Sequence, residues 1–240
     1  MFSPQIPLEL QPTGPDRFED FVAGPNQAAV DALKSLSSQS VGSVFVQGPA
    51  VSGKTHLLNA LCIEYREQDR PAWYIGLEKM DPEATAGLVG LQGLVCFDGL
   101  HSVIGDVRWE EALFHCFNEV REGDGQIVAS SQVSLSALNF ALPDLASRMA
   151  WGVRLNLKPL NQKEKMEVLR LRATKLELDL SPDVEQFLLR RISRDLGSML
   201  KALEVIQRRA LAEKRRVTVP LARKVFLTDL DSEQRSPENG

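Results

Sequence analysis

One eight-residue segment, GPAVSGKT at 48–55, constrains the fold of this chain more than any other feature. It follows an apolar, β-branched run at 44–46 and precedes a helical pattern that starts near His56. A strand, a glycine-rich loop and a helix in this order are the context in which the spacing G-x-x-x-x-G-K-[ST] forms a phosphate-binding loop. The alternative is an ordinary glycine turn between a strand and a helix.

The residue types in this segment suit a nucleotide. Gly48 and Gly53 let the backbone curl so that successive N–H groups point inward, and the helix that follows adds the positive end of its dipole. Lys54 supplies a cation to the β- and γ-phosphates, and Thr55 offers a hydroxyl to Mg²⁺. The residues expected to contact the nucleotide here are Gly48, Pro49, Ala50, Val51, Ser52, Gly53, Lys54, Thr55 and His56.

Short apolar runs alternate with helical patterns through the first two thirds of the chain. This alternation predicts an α/β domain with a five-stranded parallel sheet. The predicted strands cover residues 43–47, 72–77, 94–97, 127–129 and 153–157, and a weak helix is predicted at 82–90. Ser130 and Ser131 close the fourth strand, where they either point towards the γ-phosphate or simply end the strand.

The third strand ends at an acidic residue, Asp98, which we expect to hold Mg²⁺ opposite Thr55. Hydrolytic members of this class usually carry a second acidic residue at the next position, but here it is Gly99. Because glycine cannot accept a proton, we expect little independent ATP hydrolysis. His101 is an alternative base, or else an ordinary loop histidine.

Two further positions are candidates for the site. Phe21 and Val22 lie just upstream of a helix predicted at 26–36, where they either line an adenine pocket or attach the N-terminal segment to the core. Arg148 lies on a short helix before the last strand. An arginine so placed can reach the nucleotide of a neighbouring subunit, and the alternative is an ion pair with Asp144.

Composition changes near Lys158. Residues 158–224 hold 17 Lys and Arg against 9 Asp and Glu, a net charge of +8, although the whole chain has a net charge of −4. The pattern there is wholly helical, with a capping box at Asn161 and Glu164 and further helices predicted at about 182–193, 194–214 and 217–227. The basic surface indicates nucleic acid or an acidic partner, or else a solvated helical face. The predicted organisation is a flexible leader at 1–16, the α/β domain at 17–158, a helical lid at 159–228 and a disordered tail at 229–240.

The sequence indicates a cytoplasmic protein. It has no apolar run approaching the length of a membrane span and no signal-peptide pattern, so no membrane partner is expected. Its three cysteines, Cys62, Cys96 and Cys116, lack C-x-x-C spacing and lie in apolar patterns typical of reduced core residues.

Five segments resemble, in order, the ATPase core of the AAA+ initiator family DnaA. They are RFEDFVAGPN, GPAVSGKTHLLNA, LVCFDGL, DLASRMAWG and RDLGSMLKAL, and they extend over residues 17–203. We expect no helix-turn-helix domain after the lid, because too few residues follow it. The hexapeptide QIPLEL at 5–10 resembles the sliding-clamp motif of the short DnaA homologues, the Hda family. Taken without the resemblance, it is either a docking peptide or an ordinary leader.

The resemblance implies a regulatory adaptor that binds the DNA polymerase sliding clamp (its β subunit) and stimulates ATP hydrolysis by DnaA, so that replication does not re-initiate. Arg148 would be the arginine finger acting in trans. Arg194 would be the lid arginine that senses the nucleotide bound to its own chain. The resemblance implies that this nucleotide is ADP rather than ATP and that it is bound with Mg²⁺. No direct specific DNA binding is implied, and homo-oligomerisation stays open. The alternative function is an autonomous AAA+ ATPase, or a helicase loader that binds DNA through its basic lid. The implied clamp-binding residues are Gln5, Ile6, Pro7, Leu8 and Leu10.

Overall fold

A computed structural model describes residues 16–37, 43–190, 196–213 and 216–228. The chain divides into two compact units between Pro159 and Leu160. The first unit is built on a five-stranded, wholly parallel sheet, as the sequence predicted. Its strand order, which the sequence did not predict, is β2-β3-β4-β1-β5. The strands are β1 (Ser43–Gln47), β2 (Ala72–Gly76), β3 (Leu94–Asp98), β4 (Gln126–Ser131) and β5 (Val153–Asn156).

Apolar side chains fill both faces of this sheet, because parallel strands joined by helices are covered on both sides. Along β1, Phe45 belongs to one apolar cluster, whereas Val44 and Val46 belong to the other. This alternation follows from the two-residue period of a strand. The helices are α1 (Gln27–Ser35) and α2 (Lys54–Glu67) on one face, with α3 (Val107–Glu122) and α4 (Pro143–Ala150) on the other. The helix expected at 82–90 is a 3₁₀ segment, Pro82–Leu88.

The carboxyl ends of the strands meet at one edge of the sheet. Gly76 of β2 is in register with Asp98 of β3, and Gln47 of β1 with Ser131 of β4. The strand order reverses beside β1, which is the place where open α/β sheets form a ligand crevice. Segments far apart in the chain therefore converge on the loop that follows β1.

The second unit is entirely helical in its described residues. It contains α5 (Gln162–Lys175), α6 (Pro182–Leu189), α7 (Leu196–Glu213) and α8 (Val219–Thr228). The capping box forms as predicted, since Asn161 Oδ1 accepts from Glu164 N at 3.0 Å and Glu164 Oε2 accepts from Asn161 N at 2.7 Å. Helix α6 ends at Leu189, four residues before the predicted end. The four helices enclose one apolar cluster.

Some of the basic residues of this second unit are paired. Nη2 of Arg170 lies 2.8 Å from Oε2 of Glu185, and Nη2 of Arg172 lies 2.6 Å from Oε1 of Glu204. These pairs are typical of a solvated face with mixed charges. No helix within the described ranges is long and apolar enough to cross a membrane. The predicted clamp peptide, Arg194 and the tail lie outside those ranges, so what the sequence predicts for them is not tested by the structure.

Candidate functional site

The loop between β1 and α2 has the backbone conformation expected of a phosphate loop. Gly53, directly before α2, has a φ of +90°. Val51, at the exposed tip, also lies in the left-handed region with a φ of +58°, which is unusual for a β-branched residue. The amide of Gly48 is tied to the sheet, donating to Ser131 O at 3.1 Å. A left-handed valine is the kind of local strain that accumulates at functional sites.

Both glycines of the loop are also required by close packing. A Cβ on Gly53 would lie 2.4 Å from Cε2 of Phe21, and one on Gly48 would lie 2.6 Å from Oγ of Ser52. The Phe21 ring therefore rests on the loop backbone, and its centroid lies 5.4 Å from that of His56. The structure thus places Phe21 and His56 beside the loop, while Val22 next to Phe21 is half-buried.

Replacing Gly53 with alanine is expected to destabilise the protein more than the same change at Gly90, which is the matched control. Both residues have positive φ values, +90° and +76°, so each alanine should cost about 1–2 kcal/mol of backbone strain. Only Gly53 has a neighbour within 4 Å of its Cβ position, and that overlap should add about 1–3 kcal/mol. Urea unfolding measures the difference; equal losses would show that Phe21 does not constrain this position.

Lys54 lies inside the curl of the loop. Its Nζ donates to the carbonyl oxygens of Gly48 and Pro49, each at 2.8 Å. Burial lowers the pKa of this ammonium, and the negative charges of Asp98 and Glu78 oppose that change. The charge is thus held next to the backbone groups that would cradle phosphate.

Asp98 accepts hydrogen bonds from three hydroxyl groups. Thr55 Oγ1 donates to its Oδ2 at 2.6 Å and Tyr74 Oη to the same oxygen at 2.8 Å. Ser130 Oγ donates to its Oδ1 and accepts from Gly99 N at 3.1 Å. Burial, with the adjacent Asp98 charge, raises the pKa of Tyr74 above its usual range, so that the phenol stays a donor. Hydroxyl groups from three other chain segments therefore fix the orientation of one carboxylate.

These groups surround an open pocket of about 290 Å³. Thr55 and Asp98 supply oxygen ligands of the kind Mg²⁺ prefers, and it usually takes one or two carboxylates beside phosphate oxygens and water. The curled loop, the buried ammonium and these two oxygens fit a nucleotide with its Mg²⁺. The pocket is lined by Ala50, Val51, Lys54, Thr55, Tyr74, Gly76, Glu78, Asp98, Gly99, His101 and Gln132.

Comparison with known proteins gives the family. A model described as "Hda, lid domain" matches residues 162–226. An uncharacterized protein of Haemophilus influenzae is 36% identical over 226 residues, which cover 92% of this chain and 98% of that protein. The chain belongs to the Hda family.

Solved structures show that this Hda-family chain has the AAA+ fold. Domain III of the replication initiation protein DnaA from Thermotoga maritima matches with a TM-score of 0.78 at 23% identity, covering 90% of this chain and 98% of that one. AMPPCP-bound DnaA from Aquifex aeolicus matches with a TM-score of 0.65 at 19% identity, covering 92% of this chain and 70% of that one. The AAA+ class predicted from the sequence is therefore confirmed.

Arg148 of the Hda-family chain lies outside this pocket, on α4. Its guanidinium carbon is 4.9 Å from the ring centre of Phe114 and 5.8 Å from that of Phe117. Among the described ion pairs, none joins Arg148 to Asp144, so the structure does not support the ion-pair alternative. The guanidinium is instead supported by aromatic faces.

Sequence reasoning missed two of the residues that shape the pocket. Tyr74 was assigned only to a buried strand, and Glu78 was given no role. Ser130 was considered as a group pointing at phosphate, but its side chain is fully buried and contacts Asp98 instead. No pattern in the sequence predicts these contacts, because each depends on which strands are neighbours in the sheet.

Proposed function

We propose that this Hda-family chain is a regulatory adaptor of replication initiation. It binds an adenine nucleotide in its phosphate loop, docks on the DNA polymerase sliding clamp through residues 5–10 and presents Arg148 to ATP held by the initiator DnaA. ATP hydrolysis on DnaA then prevents a further round of initiation. The resemblance of the motifs to DnaA and Hda proteins, together with membership of the Hda family, supports this role.

The observation that carries the proposal is the environment of Arg148. Stacking on Phe114 and Phe117 holds a planar guanidinium without using its N–H donors. Those donors are then available to the oxygens of a transferring phosphoryl group, where an arginine supplied in trans neutralises developing charge. Arg148 is half-buried. Its guanidinium can therefore reach a partner, while the contacts with Phe114 and Phe117 restrict the direction of the side chain.

The chain's own nucleotide has a different role in this proposal. Lys54 and the loop amides bind its phosphates, while Thr55 and Asp98 hold Mg²⁺, which neutralises phosphate charge when bound. The AMPPCP-bound DnaA of similar fold supports an adenine nucleotide. We propose ADP as a structural ligand, with Phe21 and Val22 near the base and Arg194 contributing from the lid.

The alternative of DNA binding through the lid is less well supported. Two of its arginines, Arg170 and Arg172, are already engaged by glutamates, which weakens their attraction for phosphate. The sequence has three consecutive basic residues, Lys214, Arg215 and Arg216. Salt-sensitive DNA binding that is lost when these three are replaced would favour that alternative.

The adaptor function is tested by a three-component assay. DnaA loaded with labelled ATP is mixed with sliding clamp and this chain, and ADP formation is followed. Acceleration is expected only when all three proteins are present, because clamp docking concentrates the chain near its target. An unchanged rate in the complete mixture, with intact clamp and DnaA, would contradict the adaptor role.

ADP is expected to raise the melting temperature of the chain. A ligand at 100 times its Kd stabilises the folded state by about 2.7 kcal/mol, which a thermal shift assay detects readily. Lys54→Ala should abolish the shift, because the ammonium is lost from the loop, whereas Lys158→Ala at an exposed position should keep it. If neither ADP nor ATP shifted the wild-type transition, the proposed nucleotide site would be wrong.

A further inference from the structure

Glu110 is a fully buried acidic residue outside the phosphate-loop pocket. It lies in the first turn of α3 and is 0% exposed. None of the ion pairs among the described residues involves it. A buried carboxylate without a cation beside it is costly unless hydrogen bonds compensate it. The groups that Glu110 binds therefore indicate its role.

All three described partners of Glu110 are backbone N–H groups, and they come from two loops. Oε1 accepts from Gly105 N at 2.8 Å, just before α3. The same oxygen accepts from Ala141 N at 3.0 Å, and Oε2 accepts from Leu142 N at 2.6 Å. An ionised carboxylate has only acceptors and can serve all three donors. Glu110 therefore joins the segment that leads into α4 to the start of α3.

Helix α4 needs such an external contact at its N-terminus. It has only eight residues, and a helix this short is marginal by itself. Its N-cap residue, Leu142, and its N3 residue, Leu145, carry no polar side-chain atoms, so α4 cannot form a capping box of its own. Glu110 supplies from α3 the bond to the N-cap N–H that a glutamate at N3 makes in a capping box.

The same face of α3 also holds the other end of α4. Phe114 and Phe117 lie four and seven residues after Glu110, which places all three on one side of the helix. Arg148, in the last turn of α4, stacks on these two rings. Glu110 thus fixes the start of α4, and the aromatic rings hold the arginine near its end.

We infer that Glu110 is a positioning residue for the arginine finger of the proposed function. Its carboxylate sets where α4 begins, and so sets the direction from which Arg148 reaches the partner. A misplacement of about 1 Å can cost about 10²-fold in the rate of a catalysed reaction. Releasing the start of α4 therefore lowers the stimulation of ATP hydrolysis on DnaA, although Arg148 itself is kept. This inference rests on the proposed adaptor function.

The test compares Glu110→Gln with Glu111→Gln in the three-component assay. Glutamine has almost the same shape, but its amide nitrogen is a donor and would face at least one of the three N–H groups. Glu111 is the next residue of α3 and is exposed, so its replacement makes the same charge change without affecting these bonds. We expect Glu110→Gln to lower the stimulated rate at saturation by about tenfold or more, and Glu111→Gln to leave it unchanged.

The dependence of the rate on the concentration of this chain separates positioning from loss of stability. A variant that is only partly unfolded contains fewer active molecules, so it reaches the wild-type plateau at a higher concentration. A displaced arginine lowers the plateau and leaves the half-saturating concentration unchanged, because clamp docking uses residues 5–10. Val30→Ala, which removes buried apolar atoms on the opposite face of the sheet, is the stability control and should keep the plateau.

A second variant and a local measurement complete the test. Glu110→Asp keeps the carboxylate but is one methylene shorter, so it should lose at least one of the three bonds and lower the plateau as well. Hydrogen exchange at the amides of Ala141 and Leu142 should be faster in both variants and unchanged in the central strands. A wild-type plateau in both variants, a loss that a higher concentration restores, or unchanged exchange at these two amides would overturn the inference. Absence of stimulation by the wild-type chain would instead overturn the adaptor function.

Discussion

Replacing Arg148 with alanine is expected to abolish the stimulation of ATP hydrolysis on DnaA. An arginine finger contributes about 10³–10⁵-fold to phosphoryl transfer, so ADP formation in the three-component assay should fall to the basal rate of DnaA. Loss of the contacts with Phe114 and Phe117 should cost only about 0.5–2 kcal/mol of folding stability. The variant should therefore fold, bind the clamp and show the ADP thermal shift.

Arg121→Ala is the matched control for this experiment. Arg121 is exposed and lines the same surface cavity as Arg148, so its removal lowers the local positive charge by the same amount. We expect it to retain most of the stimulation. Arg148→Lys keeps the charge but loses the planar fork, and it should also be inactive if geometry is what matters. Full stimulation by Arg148→Ala would show that the arginine finger lies elsewhere.

Deleting residues 1–10 is expected to eliminate binding to the sliding clamp. The proposed contacts would come from a short peptide whose apolar side chains would fill a groove on the clamp and whose proline would restrict the backbone. Ile6, Leu8 and Leu10 would provide those apolar contacts. Surface plasmon resonance with immobilised clamp measures the loss. Stimulation of DnaA should disappear with it, because the chain is no longer concentrated on the clamp.

Thermal unfolding separates this effect from misfolding. The apolar core of the described first unit begins at Phe18, so the deletion should leave the melting temperature and the ADP shift unchanged. A variant with Ile6, Leu8 and Leu10 replaced by alanine should behave like the deletion, whereas Gln11→Ala together with Thr13→Ala should bind normally. Clamp binding that survives the deletion would remove the docking role from this peptide.

Much of the framework could be predicted because it depends on local patterns. The strand–loop–helix context of residues 48–55 and the apolar runs of the five strands were recognisable from periodicity alone. The capping box at Asn161 and Glu164 was also predictable, since its two hydrogen bonds join residues three positions apart. The errors were of two kinds: helix α6 ends earlier than its apolar pattern suggested, and Pro82–Leu88 forms a 3₁₀ segment rather than an α-helix.

The phosphate loop, the aspartate at the end of β3 and the glycine at 99 could be recognised from the sequence, because each belongs to one continuous segment. Their surroundings depend on how the strands are arranged in the folded domain. Tyr74, Ser130 and Glu78 reach Asp98 and Gly99 because β2, β3 and β4 are neighbours in a parallel sheet whose strand ends share one edge. Strand order is a property of the whole domain, set by which apolar faces pack together, and spacing along the chain does not encode it locally.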